Sequence, residues 1–426
     1  MRKLKLGYAP QARMYFTTSR EVISLQDTDC TDVAVCVLTD RDGALLRKVV
    51  DTQFEVPIVL FSDDPEGLDD YTREAAFRVI DAKLYDERIT NNEIENAALQ
   101  YEERMLPTFF ETLSDYKELN NIPFDCPGHQ GGEYFRKHPA GRYLYDFYGE
   151  TVFRSDICNA DVALGDLLIH EGAAAEALKN AATVFNSDMT YFVMNGTSTS
   201  NMVTLAALVS AGDLVLFDRN NHKSIYDAAL VKSGGLAVYL ETARNPLGFI
   251  GGIDAHCFDE SYLRAEIAKV DEEAAKRERP FRVAVIQLGT YDGTIYNARQ
   301  VVDRIGKLCD YILFDSAWVG YEQFIPMMQH CSPLLLELGP DDPGIFVTQS
   351  VHKQQAGFSQ ASYIHKKDSH IEGQKRYVNN KVFNNSYRLH ASTSPFYPIF
   401  ASLDVNARMQ DRKVGRKLWA DCVKTG

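Results

Sequence analysis

Between residues 189 and 347 the chain repeats one pattern: a short aliphatic or β-branched run, a polar or glycine-bearing end, then a stretch at helical spacing. The runs cover 191–194, 214–217, 236–242, 282–288, 311–314 and 345–347. Strands that alternate with crossover helices lie mainly parallel, because each helix carries the chain back to the starting edge of the sheet. The carboxyl ends of these strands then share one side, where open α/β sheets bind ligands. Helices are expected over 201–209 and 297–308, with a charged surface helix over 261–279.

Four of those strand ends carry chemistry. The run 191–194 passes through Asn195, Gly196, Thr197, Ser198, Thr199 and Ser200 into a helix. Free N–H groups, the helix dipole and the hydroxyls suit an anion such as phosphate there. The stretch is neither a P-loop, since the lysine is missing, nor GxGxxG, and an ST-rich helix cap explains the same residues equally well. The run 214–217 leads to His222 and the run 311–314 to Asp315. The run 345–347 passes through Thr348, Gln349, Ser350 and His352 to Lys353.

Taken singly, His222 is a hydrogen-bonded turn residue and Lys353 a solvated surface lysine. Together on one edge they meet the requirements of pyridoxal 5'-phosphate: a phosphate cup, a ring-stacking partner, a carboxylate for the pyridinium nitrogen and an amine for the Schiff base. On this reading Asp315 is buried and ionised, and keeps the ring nitrogen protonated. Lys353 holds the cofactor as an imine, its pKa lowered by desolvation and nearby cationic charge. Ser350 and His352 reach back to the phosphate.

Upstream, residues 1–91 carry runs at 3–8, 31–39 and 57–62, turns at 40–43 and 63–67, and a helix over 73–78. This is the pattern of a compact doubly wound wing of flavodoxin or response-regulator type. Asp40, Asp63 and Asp64 suggest a phosphoacceptor pocket with magnesium, but turn chemistry alone explains them. Residues 92–149 form a helical linker and arm: two helical pieces interrupted by Pro107, then an irregular stretch rich in Gly, Pro and aromatics, suited to a substrate channel or an interface. His129, in CPGHQGG, has one cysteine beside it, too few ligands for a stable metal site, and no metal is expected. Residues 150–426 form the large domain, with a small-residue helix beginning near Glu171.

A net charge of −14 and a pI near 5.2 exclude nucleic acid or an anionic membrane as the main partner, since either needs a basic face. No run approaches the roughly 20 apolar residues of a membrane span. The eight cysteines are scattered, without a CxxC pair or a Cys/His spacing suited to zinc. Free thiols fit a reducing compartment, and the expected location is cytoplasmic.

Four motifs carry a resemblance: FDSAWVGYEQF (314–324), TQSVHKQQAGFSQ (348–360), NGTSTSN (195–201) and LHASTSPFYP (389–398). They resemble the prokaryotic ornithine/lysine/arginine decarboxylases of aspartate-aminotransferase fold, most closely the ornithine branch, and the likeness runs over almost the whole chain. It implies an α/β architecture of a flavodoxin-like wing plus a PLP-dependent-transferase large domain with a mainly parallel sheet. It also implies Lys353 as the Schiff-base lysine, Asp315 as the pyridinium partner and His222 as the stacking residue. Thr197, Ser198, Ser350 and His352 become phosphate contacts, and Trp318 lines the site. Thr393, in the segment 392–394, resembles a residue that reaches a neighbouring subunit's phosphate, which implies a homodimer or higher homo-oligomer.

The implied activity is decarboxylation of L-ornithine to putrescine and CO2. The alternatives are lysine or arginine decarboxylation, a transaminase of the same fold, or an inactive truncated assembly or regulatory paralogue. The last arises because family members continue past the large domain into a small C-terminal domain, which is expected to be absent from a chain that stops at Gly426.

Overall fold

The computed structural model describes residues 3–158 and 163–425. Two compact units make up the chain: Met1–Pro107 with Asp411–Gly426, and Thr108–Gln410.

The first unit is built on five parallel strands, β1 (Lys5–Tyr8), β2 (Val22–Ser24), β3 (Val33–Thr39), β4 (Ile58–Ser62) and β5 (Arg78–Asp81), in the order β2-β1-β3-β4-β5. This is the doubly wound order of flavodoxin-like folds. Every residue of β3 and β4 is buried, which is why both read as continuous apolar runs. The edge strands β2 and β5 are only partly buried and give no such run. The helix expected over 73–78 is instead Asp70–Ala75, because Ala76 turns extended (φ −79°, ψ 125°) and Arg78 opens β5.

The helix Glu87–Met105 sends Ile94, Ala97, Ala98 and Tyr101, one stripe at helical spacing, into this core. Its Glu95 and Glu102 each hold the buried Arg20 guanidinium at 2.8 Å. Asp40 Oδ2 accepts from Ser62 Oγ (2.7 Å), Asp63 pairs with Arg41 (2.9 Å) and Asp64 caps the turn at Gly67. All three acids are thus engaged in shaping the turns.

The second unit opens with the helix Thr108–Glu118. Its first N–H groups are satisfied from far along the chain: Asp404 Oδ2 accepts from Phe109 N (3.0 Å) and Phe110 N (3.1 Å). The arm after it is partly helical, with Pro139–Tyr148 and Glu150–Ser155, because Pro139 starts a helix that His138 caps through Nδ1. His129 Nε2 lies 3.1 Å from Asp156 Oδ2. The cysteines are less scattered in space than in sequence: Asp125, Cys126 and Cys158 bring their ligand atoms within 4.8 Å of one another. They border a cavity of about 310 Å³ shared with Tyr116, Phe124 and Arg154.

The large sheet holds β6 (Met189–Val193), β7 (Leu214–Asp218) and β8 (Leu236–Leu240). A separate antiparallel pair, β9 (Thr242–Arg244) with β10 (Ile250–Ile253), follows. The sheet is completed by β11 (Phe281–Gln287), β12 (Cys309–Asp315), β13 (Gly344–Ser350) and β14 (Ser362–Lys367), in the order β6-β14-β13-β12-β11-β7-β8. Only β14 runs against its neighbours β13 and β6, so the sheet is mainly parallel.

Three helices differ from expectation. The first large-unit crossover helix is Gly196–Leu208, so the hydroxyl run lies inside its opening turns rather than ahead of it. The surface helix stops at Ala268, where Asp271 N turns back to Ile267 O. The crossover before β12 is Ala298–Ile305, capped by Asn297. No helix among the described residues is long and apolar enough to cross a membrane.

Candidate active site

The ends of β6, β7, β12 and β13 lie on one edge, and β14, running the other way, begins there: Ser362 pairs with both Ser350 and Val193. Gly196 starts its helix at φ +80°, a backbone geometry that excludes most side chains, and its N–H is taken by Gln360 O (2.9 Å). Behind it, Thr197 Oγ1 meets Ser350 Oγ (2.7 Å) and Ser362 Oγ (2.9 Å), and Ser200 Oγ meets Ser362 Oγ (2.8 Å). Ser198 faces outward and exposed. His352, half-buried, sets Nδ1 3.0 Å from Ala361 O. Thr197 and Ser350 therefore meet directly, with Ser198 at the rim.

Asp315 ends β12 at 1% exposure. Its Oδ1 accepts from Ala317 N (3.0 Å) and its Oδ2 from Asn201 Nδ2 (3.1 Å). Burial pushes its pKa up, against the pull of those hydrogen bonds and of the charges at His222 and Lys353. Among the described residues it forms no salt bridge, so it stands as a deeply buried carboxylate without a direct cation partner. His222, beyond β7, sets Nδ1 2.9 Å from Ser224 Oγ.

Asn201, Ser224 and Ser362 are residues that reading strand ends misses. A signal for the first does exist: Thr197, Ser200, Asn201 and Thr204 fall at i, i+3, i+4 and i+7 of one helix, and all four are buried. A buried polar stripe must be hydrogen-bonded, and so marks a network.

Lys353 lies in the short helix Val351–Gln354, with Nζ 4.1 Å from the centroid of the Trp318 ring. Burial lowers its pKa and Asp315 raises it. The cationic neighbour expected to help lower it is replaced by an anionic one; desolvation supplies the shift. Trp318 in turn sits edge-on to Tyr291 at 6.4 Å. Its loop is tied down by Gln355 Nε2 donating to Gly320 O (2.8 Å) and by Gly320 N donating to Glu322 Oε2 (2.7 Å). Thr393 lies exposed in the bend that follows the helix Asn380–His390, and no hydrogen bond joins it to these residues among those described.

Glu322 makes this loop sensitive to pH. Burial pushes its carboxyl up to about 7, from 4.5. Between those values the folded chain keeps a proton that the unfolded chain has lost, so stability falls as pH rises through that window. Glu322→Gln should flatten this decline by close to one proton, about 1.4 kcal/mol per pH unit. Urea unfolding at pH 5, 6, 7 and 8 measures it; equal slopes in the two proteins would remove Glu322 as the cause.

Residues 107–426 match the family model described as Orn/Lys/Arg decarboxylase, major domain. An ornithine decarboxylase of Haemophilus influenzae is 64% identical over 427 residues, covering 100% of this chain and 59% of its own length. The constitutive ornithine decarboxylase of Escherichia coli is 57% identical over 435 residues, with the same two coverages. Lysine decarboxylase A from Pseudomonas aeruginosa superposes with a TM-score of 0.87 at 30% identity, over 99% of this chain and 61% of that one. The chain spans about three fifths of the length of the curated relatives it matches.

Proposed function

The chain belongs to the Orn/Lys/Arg decarboxylase family, and from that premise we propose that its site decarboxylates L-ornithine to putrescine and CO2 with pyridoxal 5'-phosphate. The observation that carries the reading is Asp315: a carboxylate at 1% exposure, without a salt bridge among the described residues, on the same sheet edge as an amine whose pKa burial lowers. A protonated pyridine nitrogen is the cation such a carboxylate fits. When bound, the cofactor supplies an electron sink for the pair released at the substrate Cα.

The chain's own residues do the rest. Asp315 holds negative charge where the ring nitrogen must stay protonated. Thr197, Ser198, Ser350 and His352, with the N-terminus of the helix Gly196–Leu208, would hold the phosphate. His222 would cover the ring. Lys353, with its lowered pKa, offers a free amine for exchange with substrate and can return a proton to Cα. The Trp318 ring, 4.1 Å from Lys353 Nζ, would wall that side of the amine, on a residue that is itself exposed.

Ornithine is favoured over lysine by similarity: 64% and 57% to ornithine decarboxylases, against 39% over 326 residues to a lysine decarboxylase of Pseudomonas aeruginosa. The exposed position of Thr393 suits a contact with a second copy, and we place the protein as a homo-oligomer. We place it in the cytoplasm, where its scattered cysteines, without a CxxC pair, would stay reduced.

The test is CO2 release from carboxyl-labelled ornithine, lysine and arginine, compared as kcat/KM. Ornithine is expected to lead. A higher value for lysine or arginine overturns the substrate; no release from any, with no visible cofactor absorbance, overturns the function.

A further inference from the structure

We infer that Asn201 positions both Asp315 and His222, fixing the carboxylate and the ring-facing imidazole through one side-chain amide. The inference rests on the cofactor reading above.

The hydrogen bonds leave the amide one orientation. A carboxylate only accepts, so it is Nδ2 that faces Asp315 Oδ2 at 3.1 Å. Thr348 Oγ1 donates to Asn201 Oδ1 at 2.8 Å and locks the opposite end. The second N–H of Nδ2 reaches Ser224 Oγ at 3.2 Å. Having accepted there, Ser224 turns its own O–H toward His222 Nδ1 at 2.9 Å, and Ser224 N donates to the same Nδ1 at 3.2 Å. Two donors on Nδ1 leave the proton of the neutral imidazole on Nε2.

One fully buried side chain therefore links the end of β12 to the turn after β7. Thr348, which holds the amide, pairs with Asp315 across the β12–β13 register, so carboxylate and anchor are set by the same two strands. Without Asn201, Asp315 retains, among the described residues, only the Ala317 N–H and is free to turn about its side-chain bonds. The titratable side chains facing Asp315 are His222 and Lys353. Both remain in every variant below.

The experiment uses this chain stripped of cofactor and titrated with pyridoxal 5'-phosphate from pH 5 to 9, following visible absorbance. Asn201→Leu keeps the shape but removes the donor to Asp315 without adding a charge; Thr348→Val keeps Asn201 but frees its amide to flip. Asn201→Leu is expected to weaken cofactor binding roughly 10–100-fold, the range for losing a hydrogen bond to a charged group. It should also move the acid limb of binding to higher pH, because Asp315 loses a donor that favours its ionised form. Thr348→Val should move the limb the same way by less, and it keeps the inference testable should Asn201→Leu fail to fold.

A role in packing alone predicts uniform weakening with the limb unmoved. Limbs that coincide with that of the parent chain overturn the inference and leave the proposed function standing. A parent chain that takes up no cofactor overturns the proposed function instead.

Discussion

Lys353→Ala should abolish the visible absorbance of the cofactor-loaded chain and cut CO2 release by at least roughly 10²–10⁴-fold, the range for a lost proton-transfer group alone. The argument runs from position and charge. Lys353 Nζ is the amine over Trp318, and burial lowers its pKa, which favours the free amine that the chemistry needs. Alanine removes the amine and leaves the phosphate-side hydroxyls, Asp315 and His222 in place. Cofactor should still bind, but more weakly and with the spectrum of the free aldehyde. Retention of both the visible band and turnover in Lys353→Ala would sink the assignment.

Asp315→Asn is expected to lower kcat/KM by about 10²–10³-fold, the loss that follows removal of one preorganised electrostatic group. Its signature is that stability does not fall with activity. Asp315 is a carboxylate that burial disfavours in its ionised form, so the neutral amide relieves a cost the native chain carries. Asparagine can still accept from Ala317 N, although its own NH2 then opposes that of Asn201. The cofactor-free variant should therefore melt within a few degrees of the parent chain, while the pyridine nitrogen loses its counter-charge. Thermal melts of the stripped proteins beside kcat/KM measure the two effects. A variant as active as the parent, or one too unstable to purify, counts against the role.

Much of the sheet was legible in the sequence because its strands are covered on both faces. All seven residues of β13 are buried, as are six of the seven in β12, and each carries an apolar run, at 345–347 and 311–314. β14 is buried almost as fully, yet reads SYIHKK. Its burial depends on specific partners: Lys366 Nζ on Asp368 (2.5 Å), His365 Nδ1 on Thr190 Oγ1 (2.8 Å), and Ser362 in the hydroxyl cluster. Hydrophobic pattern cannot report such a strand.

The site divides the same way. His222, Asp315 and Lys353 stand where strands end, which is a position that pattern finds. Asn201 takes its role from groups 23, 114 and 147 residues away in sequence, and nothing local announces them. The approach of Cys126 to Cys158 was hidden for the same reason.

Asp404 sets the order in which the large unit can be completed. The N–H groups that open its first helix, at Phe109 and Phe110, are answered by a carboxylate 295 residues later in the chain. β6, its first strand in the sheet, likewise waits for β14 to lie beside it. Loops of that length must close before the contacts can repay them, so the unit is a high-contact-order folder whose beginning stays unsatisfied until its end is made. During synthesis the opening helix would emerge long before its cap. Its apolar face, with Phe109 and Leu113, is then exposed to aggregation, and this is the stretch where a chaperone has something to hold.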